Sequence, residues 1–311
     1  MNQSTFPFSF FSKKFVKTED AKVSIMTNAL QYGNGVFGGI RGYYNKSKKA
    51  LFIFRLDDHF ERFLNALKIL GVSIPYSKKQ LKEIVVNLAK KNQPTTDSYF
   101  RPFAFASSDN ISPNLDRDEV FNFCLFMISL GEYLPTNIGI SAMVSSWRRV
   151  SDNSIPARAK ISGAYVNSSL AKKEATDRGF NEAIVLNEGG HVSEGSAANF
   201  FLIKNNILIT PAKTDDILEG ITRRTILELA MDLKIQTEER SVDRTELYTA
   251  DEAFFSGTGV QLSWINNIDG RTVGDGKRGK IAGKLQDLFF EIVRGNNKKY
   301  SQKWCTAIKI G

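Results

Sequence analysis

The sequence predicts an α+β protein built as two domains, and three observations carry that expectation. The chain has 311 residues, and at roughly 100–200 residues per domain two domains are expected. Short β-type apolar runs alternate with segments of helical periodicity. Between two such patterns lies Gly131-Glu-Tyr-Leu-Pro-Thr-Asn137, a short stretch containing Pro135. The expected small N-terminal domain covers residues 1–131, a linker 132–137, and a larger C-terminal domain 138–311. Hydrophobic residues make up 42% of the chain and charged residues 24%, which supplies a large core and excludes a disordered chain.

Leu51-Phe-Ile-Phe54 reads as a short strand. Asp57 or Asp58 is the expected N-cap of a helix in which Phe60, Phe63, Leu64, Leu67 and Leu70 keep helical spacing, and Gly71 closes it. Ser77 opens a second helix with Leu81, Ile84, Val85, Leu88 and Ala89 on its inner face and Pro94 beyond its end. Strands follow around 98–106 and 120–130, and the polar segment Ser107 to Asp116 between them reads as an exposed loop. Further strands are expected near 139–145, 182–187, 199–203 and 207–210, then a helix after Gly220 with Ile226, Leu227 and Ala230 facing inward. A strand near 252–256 and a helix over 280–293 complete the pattern, and the tail from Arg294 is polar and basic. Two mixed sheets with flanking helices are the expected arrangement.

Several function classes are excluded by composition. The longest uncharged apolar run, Cys124-Leu-Phe-Met-Ile-Ser-Leu130, is far short of the roughly 20 residues of a membrane helix. The opening residues carry no basic region ahead of an apolar stretch and no small-residue cleavage site, so secretion is not expected. Cys124 and Cys305 are too few for a disulfide framework or a thiolate metal site, which fits a reduced, cytoplasmic protein and no metal. With only His59 and His191, zinc hydrolysis and Ser/His/Asp catalysis have little to work with. The 42 Lys+Arg against 33 Asp+Glu give a net charge of +9. The lysines fall in scattered pairs with no nucleic-acid module, so the charge reads as solvated surface and no nucleic-acid partner is expected.

Four segments are candidates for chemistry, each with an ordinary alternative. Gly33-Asn-Gly35-Val-Phe-Gly38 matches a dinucleotide fingerprint, but no hydrophobic strand precedes it and no helix opens from it. A Gly-rich turn that lets the backbone approach something closely is the better reading. Lys160 sits among small and apolar residues, where partial burial favours a neutral, nucleophilic amine. By spacing alone it remains a solvated surface cation, and Glu194 a turn acid beside Gly195. Gly220-Ile-Thr222 leads into a helix and makes either an anion cradle or a Thr-assisted helix start. Ser256-Gly-Thr258-Gly259 is either a turn that aims hydroxyl and amide groups at an anion or an ordinary tight turn.

Taken together these segments resemble the class IV, or fold type IV, pyridoxal-phosphate aminotransferases, most closely the branched-chain amino acid transaminases. The resemblance runs from about Glu19 to Gly279. Its phrases are Glu19-Asp-Ala-Lys-Val, Tyr32-Gly-x-x-Val-Phe-x-Gly-Ile-Arg41, His59-Phe-Glu-Arg62, Tyr99-Phe-Arg101-Pro, Ser145-Ser-Trp-Arg, Ile155-Pro-Ala-Arg-Ala-Lys160, Ser193-Glu194-Gly, Gly220-Ile-Thr222-Arg and Ser256-Gly-Thr258. They are specific as a set and weak singly.

The resemblance implies a two-domain fold with a β-barrel-like large domain and bound pyridoxal 5′-phosphate. It implies transamination of leucine, isoleucine and valine with 2-oxoglutarate. D-amino acid or (R)-amine transamination, or aminodeoxychorismate lyase activity, are the alternatives on the same scaffold. By position, Lys160 matches the lysine that carries the cofactor and shuttles the proton at the substrate Cα, Glu194 the partner of the pyridine nitrogen, and Tyr165 the partner of the phenolic oxygen. Arg62, Ile221, Thr222 and Thr258 match the phosphate contacts. Thr258 and Gly259 match the turn that meets the α-carboxylate, Tyr32, Phe37 and Tyr133 the pocket walls, and Tyr99 and Arg101 the pair that receives glutamate's distal carboxylate. Amino acids and 2-oxo acids are the implied partners, with a homodimer or a higher assembly up to a hexamer. Two departures bear on substrate range: Gly38 stands where the family often has an acid, and the loop Asp109-Asn-Ile-Ser-Pro-Asn114 is shorter than usual.

Overall fold

A computed structural model describes residues 4–115 and 121–311. Asp116 of the expected loop and Val120 at the start of the expected strand lie outside the described residues. In chain order the elements are β1 (Phe8–Phe11), β2 (Lys14–Lys17), α1 (Asn28–Tyr32), β3 (Gly35–Phe37), β4 (Ile40–Asn45), β5 (Ala50–Phe54), α2 (Leu56–Ile69), α3 (Lys78–Asn92), β6 (Ser98–Phe105) and β7 (Asn122–Ser129). They continue with β8 (Ile140–Arg148), α4 (Tyr165–Asp177), β9 (Glu182–Leu186), β10 (Val192–Gly195), β11 (Asn199–Lys204), β12 (Ile207–Thr210), α5 (Ile221–Asp232) and β13 (Thr237–Glu239). The last are β14 (Glu252–Gly257), β15 (Gln261–Ile268), β16 (Arg271–Thr272), α6 (Lys280–Val293), α7 (Lys298–Trp304) and β17 (Cys305–Lys309).

Two compact units result. The first comprises the chain up to Gly131 together with Ala159–Gly163 and Phe290–Gly311; the second comprises Glu132–Arg158 and Ala164–Phe289. The sequence placed residues 159–163 and 290–311 in the C-terminal domain, and the structure groups them with the first unit. Strand pairing is the reason for the tail: β17 adds to the edge of β5, Cys305 opposite Phe54 and Lys309 opposite Ala50. Of its five residues, Cys305-Thr-Ala-Ile-Lys309, only Ile308 is buried, too little to mark a strand by periodicity.

The first unit is one sheet in the order β17-β5-β4-β6-β7-β1-β2, with β3 also on β6. Every pair in it is antiparallel. Mixed pairing is confined to the second unit. Tight connections explain the difference: β1 and β2 are joined by Ser12 and Lys13, both at positive φ, as two-residue hairpin turns require. On this sheet α2 packs against β3, and α3 against β1 and β17. The α3 inner face is Leu81, Ile84, Val85, Leu88 and Ala89, the five residues its periodicity indicated. Ser77 caps it in a reciprocal box with Gln80, worth about 1 kcal/mol. The start of α2 differs from expectation. Its N-cap is Arg55, in the left-handed region with no side-chain cap, while Asp57 and Asp58 lie in the first turn, where they complement the helix dipole.

The second unit is a nine-stranded sheet in the order β10-β9-β8-β15-β14-β11-β12-β13, with β16 on β15. The pairs β8–β9, β8–β15 and β12–β13 are parallel. Helix α4 makes the crossover between β8 and β9 and packs on both. Phe200 and Phe255 belong to the core on one face, and Phe201 stacks on Phe254 with ring centroids 4.9 Å apart. On α5 the buried face is Ile221, Thr222, Thr225, Ile226, Leu229 and Ala230, with Arg223; Leu229 takes the inward place expected for Leu227. The threonines shift the face because a buried Thr hydroxyl can bond its own helix, as Thr225 Oγ1 does to Ile221 O at 2.8 Å.

No described helix is long and apolar enough to cross a membrane. Among the described residues no three His, Cys, Asp or Glu side chains are grouped to hold a metal. Both cysteines are free thiols, and burial pushes each up to about 12. In iodoacetamide labelling at pH 8, Cys124 and Cys305 are therefore expected to react at least about tenfold more slowly than free cysteine, because only the thiolate attacks. Guanidinium unfolding should abolish the difference.

Candidate active site

Within the first unit the candidate residues converge on β3. Residues 160–163 lie alongside 33–37: Phe37 N donates to Lys160 O at 3.0 Å, Ser162 N to Gly35 O at 2.8 Å, and Ser162 Oγ to Gly33 O at 2.7 Å. The Gly-rich segment is therefore a close-approach turn. At Gly33, φ is +72° and a Cβ would stand 2.7 Å from Gly163 Cα, so only glycine allows the two backbones this near. At Gly38 a Cβ would lie 2.7 Å from Pro102 Cγ, so a larger side chain there requires Pro102 to move.

This contact seats Lys160 between buried Ala159 and Ile161, with Nζ 5.0 Å from the centroid of the Phe37 ring. The guanidinium of Arg101, from β6, lies 4.6 Å from the centroid of the same ring and 5.2 Å from that of Tyr99. Arg101 Nη2 also donates to Tyr99 Oη at 3.2 Å. Its Nε is buried without a hydrogen-bond partner among the described residues. A ring face attracts a cation without consuming its N–H groups, so this arginine keeps donors for an anionic ligand. Tyr32 ends α1 and is 37% exposed, and Arg62 is half-buried on α2. Two motif members have structural duties. Buried Arg41 donates to the carbonyls of Leu130 and Gly131, and His59 is packed in the inner face of α2.

Within the second unit Glu194 on β10 is 4% exposed. Arg149 Nη2 lies 3.0 Å from Oε1, while Asn199 Nδ2 and Leu218 N each donate to Oε2 at 3.2 Å. Asn199 Nδ2 also donates to Leu218 O at 2.8 Å. A buried carboxylate supplied with donors in this way is built to face a cationic group. Helix α5 begins just beyond, with Gly220 as an extended N-cap that lends no side chain. Thr222 is the second residue of the helix and not its cap, so the Thr-assisted start does not apply, and no N-cap side chain takes the first-turn N–H groups, as an anion site needs. At Gly220 a Cβ would stand 2.0 Å from Asn199 Oδ1, so a side chain there requires Asn199 to move. The Ser256 hydroxyl on β14 is fully buried and has no partner among the described residues. Thr258 and Gly259 lie in the three-residue turn between the paired Gly257 and Gln261. A Cβ on Gly259 would be 3.8 Å from Tyr133 Cγ. Tyr165 is the first residue of α4.

These donor sets fit pyridoxal phosphate: an uncapped helix start with a glycine cradle for a phosphate dianion, a buried carboxylate for a pyridinium nitrogen, and a lysine for covalent attachment. Sequence reasoning missed Arg149 and Leu218 and left Asn199 without a role. Arg149 directly follows the Ser-Ser-Trp-Arg phrase, yet nothing in spacing pairs it with a carboxylate 45 positions away; the parallel pairing of β8 with β9 and the antiparallel pairing of β9 with β10 bring them together.

Comparison with known proteins agrees with this chemistry. The sequence profile of the amino-transferase class IV family matches residues 35–268. A relative from Aquifex aeolicus, named as a probable branched-chain-amino-acid aminotransferase, is 44% identical over 97% of this chain and 96% of its own. The crystal structure of a branched-chain aminotransferase from Thermoproteus uzoniensis with norvaline is 41% identical, with a TM-score of 0.93, over 98% of this chain and 99% of that one. A T.th. branched-chain amino acid aminotransferase complexed with N-(5′-phosphopyridoxyl)-L-glutamate is 34% identical, with a TM-score of 0.91, over 97% and 98%. Nearly full-length likeness, joined to the glycine-seated lysine and the donor-clasped carboxylate, leads to one conclusion: the chain belongs to the class IV aminotransferase family.

Proposed function

We propose that the protein is a pyridoxal-phosphate-dependent aminotransferase that moves the amino group of leucine, isoleucine or valine to 2-oxoglutarate. Products are the branched-chain 2-oxo acids and L-glutamate. The observation that carries this reading is end-to-end similarity to branched-chain aminotransferases in a chain that keeps Lys160 and the clasped carboxylate of Glu194. The two relatives of known structure hold norvaline and a phosphopyridoxyl-glutamate, an apolar and an acidic substrate form.

When bound, pyridoxal phosphate supplies the electron sink that stabilises negative charge at the substrate Cα. Lys160 holds the cofactor and moves the proton at that carbon. Glu194 keeps a proton on the ring nitrogen, and Tyr165 hydrogen-bonds to the phenolic oxygen. Arg62, the Ile221 and Thr222 end of α5, and Thr258 take the phosphate. Thr258 and Gly259 orient the α-carboxylate, while Tyr32, Phe37 and Tyr133 wall the side-chain pocket. Arg101, steadied by Tyr99, receives the distal carboxylate of glutamate. Because it rests on aromatic rings, it burdens no apolar substrate with an unpaired buried carboxylate.

Self-association into a homodimer or larger assembly is part of this reading. Its support is a patch in the first unit where α1 is tied to the loop after β6, Asn28 N donating to Ser108 O at 2.8 Å. Ile25, Leu30 and Ile111 stand 81%, 63% and 89% exposed on these two segments, large apolar side chains of the kind a subunit contact covers. The two free thiols support a reducing, cytoplasmic setting.

Purified protein should show the visible absorbance of bound pyridoxal phosphate, which L-leucine converts to the pyridoxamine form and 2-oxoglutarate restores; Lys160→Ala should lose both the band and turnover. A band that ignores leucine and answers a D-amino acid or an (R)-amine would reassign the substrate within the family. Arg101→Met should slow the half-reaction with glutamate by at least about tenfold, the scale of one lost charge-assisted hydrogen bond, while the leucine half-reaction changes little. Single-turnover absorbance with each amino acid separates the two.

A further inference from the structure

Glu194 and the loop 216–220 are joined three times over. The Leu218 amide donates directly to Glu194 Oε2 at 3.2 Å. Asn199 Nδ2 bridges the same partners, donating to Glu194 Oε2 at 3.2 Å and to Leu218 O at 2.8 Å. Arg149 bridges them through the other oxygen, its Nη2 3.0 Å from Glu194 Oε1 and its Nε donating to Asp216 O at 3.3 Å. Asp216 is held at φ +56°, a conformation a non-glycine residue keeps only where its surroundings enforce it. Its carboxylate accepts from Asp152 N at 3.0 Å. The loop ends at Gly220, which packs so tightly on Asn199 that a Cβ would stand 2.0 Å from Oδ1. Helix α5 starts at the next residue.

We infer that Arg149 and Asn199 are positioning residues that lock the Glu194 carboxylate to the loop 216–220, setting one spacing between that carboxylate and the anion-binding start of α5. The inference rests on the roles given above to Glu194 and α5. A rigid, planar ligand with a cationic nitrogen at one end and a phosphate at the other is bound well only where both receptors are already at the right separation. Neither Arg149 nor Asn199 needs to touch the phosphate. Each acts on it through the loop, so disturbing the carboxylate end loosens the anion end.

Inorganic phosphate, binding only the anion end of the apoprotein, tests this by calorimetry. Arg149→Lys and Asn199→Ala both conserve charge, so simple Coulomb attraction for phosphate is unchanged in either. The expected result is phosphate binding weakened about fivefold in each, as for residues sharing one hydrogen-bond network, with a shifted absorption maximum of pyridoxal phosphate in the reloaded protein. A merely structural role would lower the melting temperature and leave phosphate affinity and the absorption maximum alone, and that outcome overturns the inference. Two substitutions are used so that a folding defect in one leaves the other to decide. Failure of the unsubstituted apoprotein to bind phosphate is a separate result, which overturns the assignment of α5 as the phosphate site and the inference with it.

Discussion

A carboxylate taken out of water has to be met by donors in fixed places, and at Glu194 that requirement organises the second unit. Desolvating an unpaired ion costs several kcal/mol, so the groups around it are not free to drift. They come from three directions: Arg149 just past the end of β8, Asn199 at the start of β11, and Leu218 in the loop before α5. Parallel pairing of β8 with β9 sets the first, the short return from β10 to β11 the second, and the left-handed Asp216 the third. A side chain in place of Gly220 would push Asn199 off this carboxylate. One buried charge thus dictates a strand order, a strained loop and a helix start.

The first unit meets a steric constraint instead of an electrostatic one. Gly33 allows its backbone to pass Gly163 within a distance no side chain at that position permits, and the main-chain bonds beside it carry Lys160 to the Phe37 ring. The same ring supports the Arg101 guanidinium. An aromatic face positions a cation while leaving its N–H edge to a ligand that comes and goes. A carboxylate partner would hold the arginine more firmly and compete with an acidic substrate for it. The choice of platform suits an enzyme whose two half-reactions bring an apolar side chain and a carboxylate in turn.

Reading the sequence reached different depths in different places. The face of α3 was legible residue by residue because its apolar positions follow one period without interruption. On α5 the period alone chose Leu227, because buried threonines and Arg223 do not count as apolar although their bonds make burial possible. The cap of α2 was misread because acids in a first turn and an acid at the cap look alike in one dimension. The C-terminal strand β17 was hidden because only Ile308 of its five residues is buried, and an edge strand is held by ladder bonds that any residue can make.

By itself the sequence determined the family, the α+β class, and the residue types the chemistry calls for: a lysine among small residues, an acid before glycine, a glycine-led helix start, an arginine two places after a tyrosine. Those follow from local pattern, because cofactor chemistry restricts which side chains can serve and at what spacing along one segment. Only the tertiary structure decided that Arg149 and Asn199 clasp Glu194, that residues 159–163 lie along β3, and that one phenylalanine ring supports both Lys160 and Arg101. Each of these joins groups far apart in the chain through strand pairing or backbone approach, and such distances are set by the folded backbone and leave no period or spacing in the sequence to read.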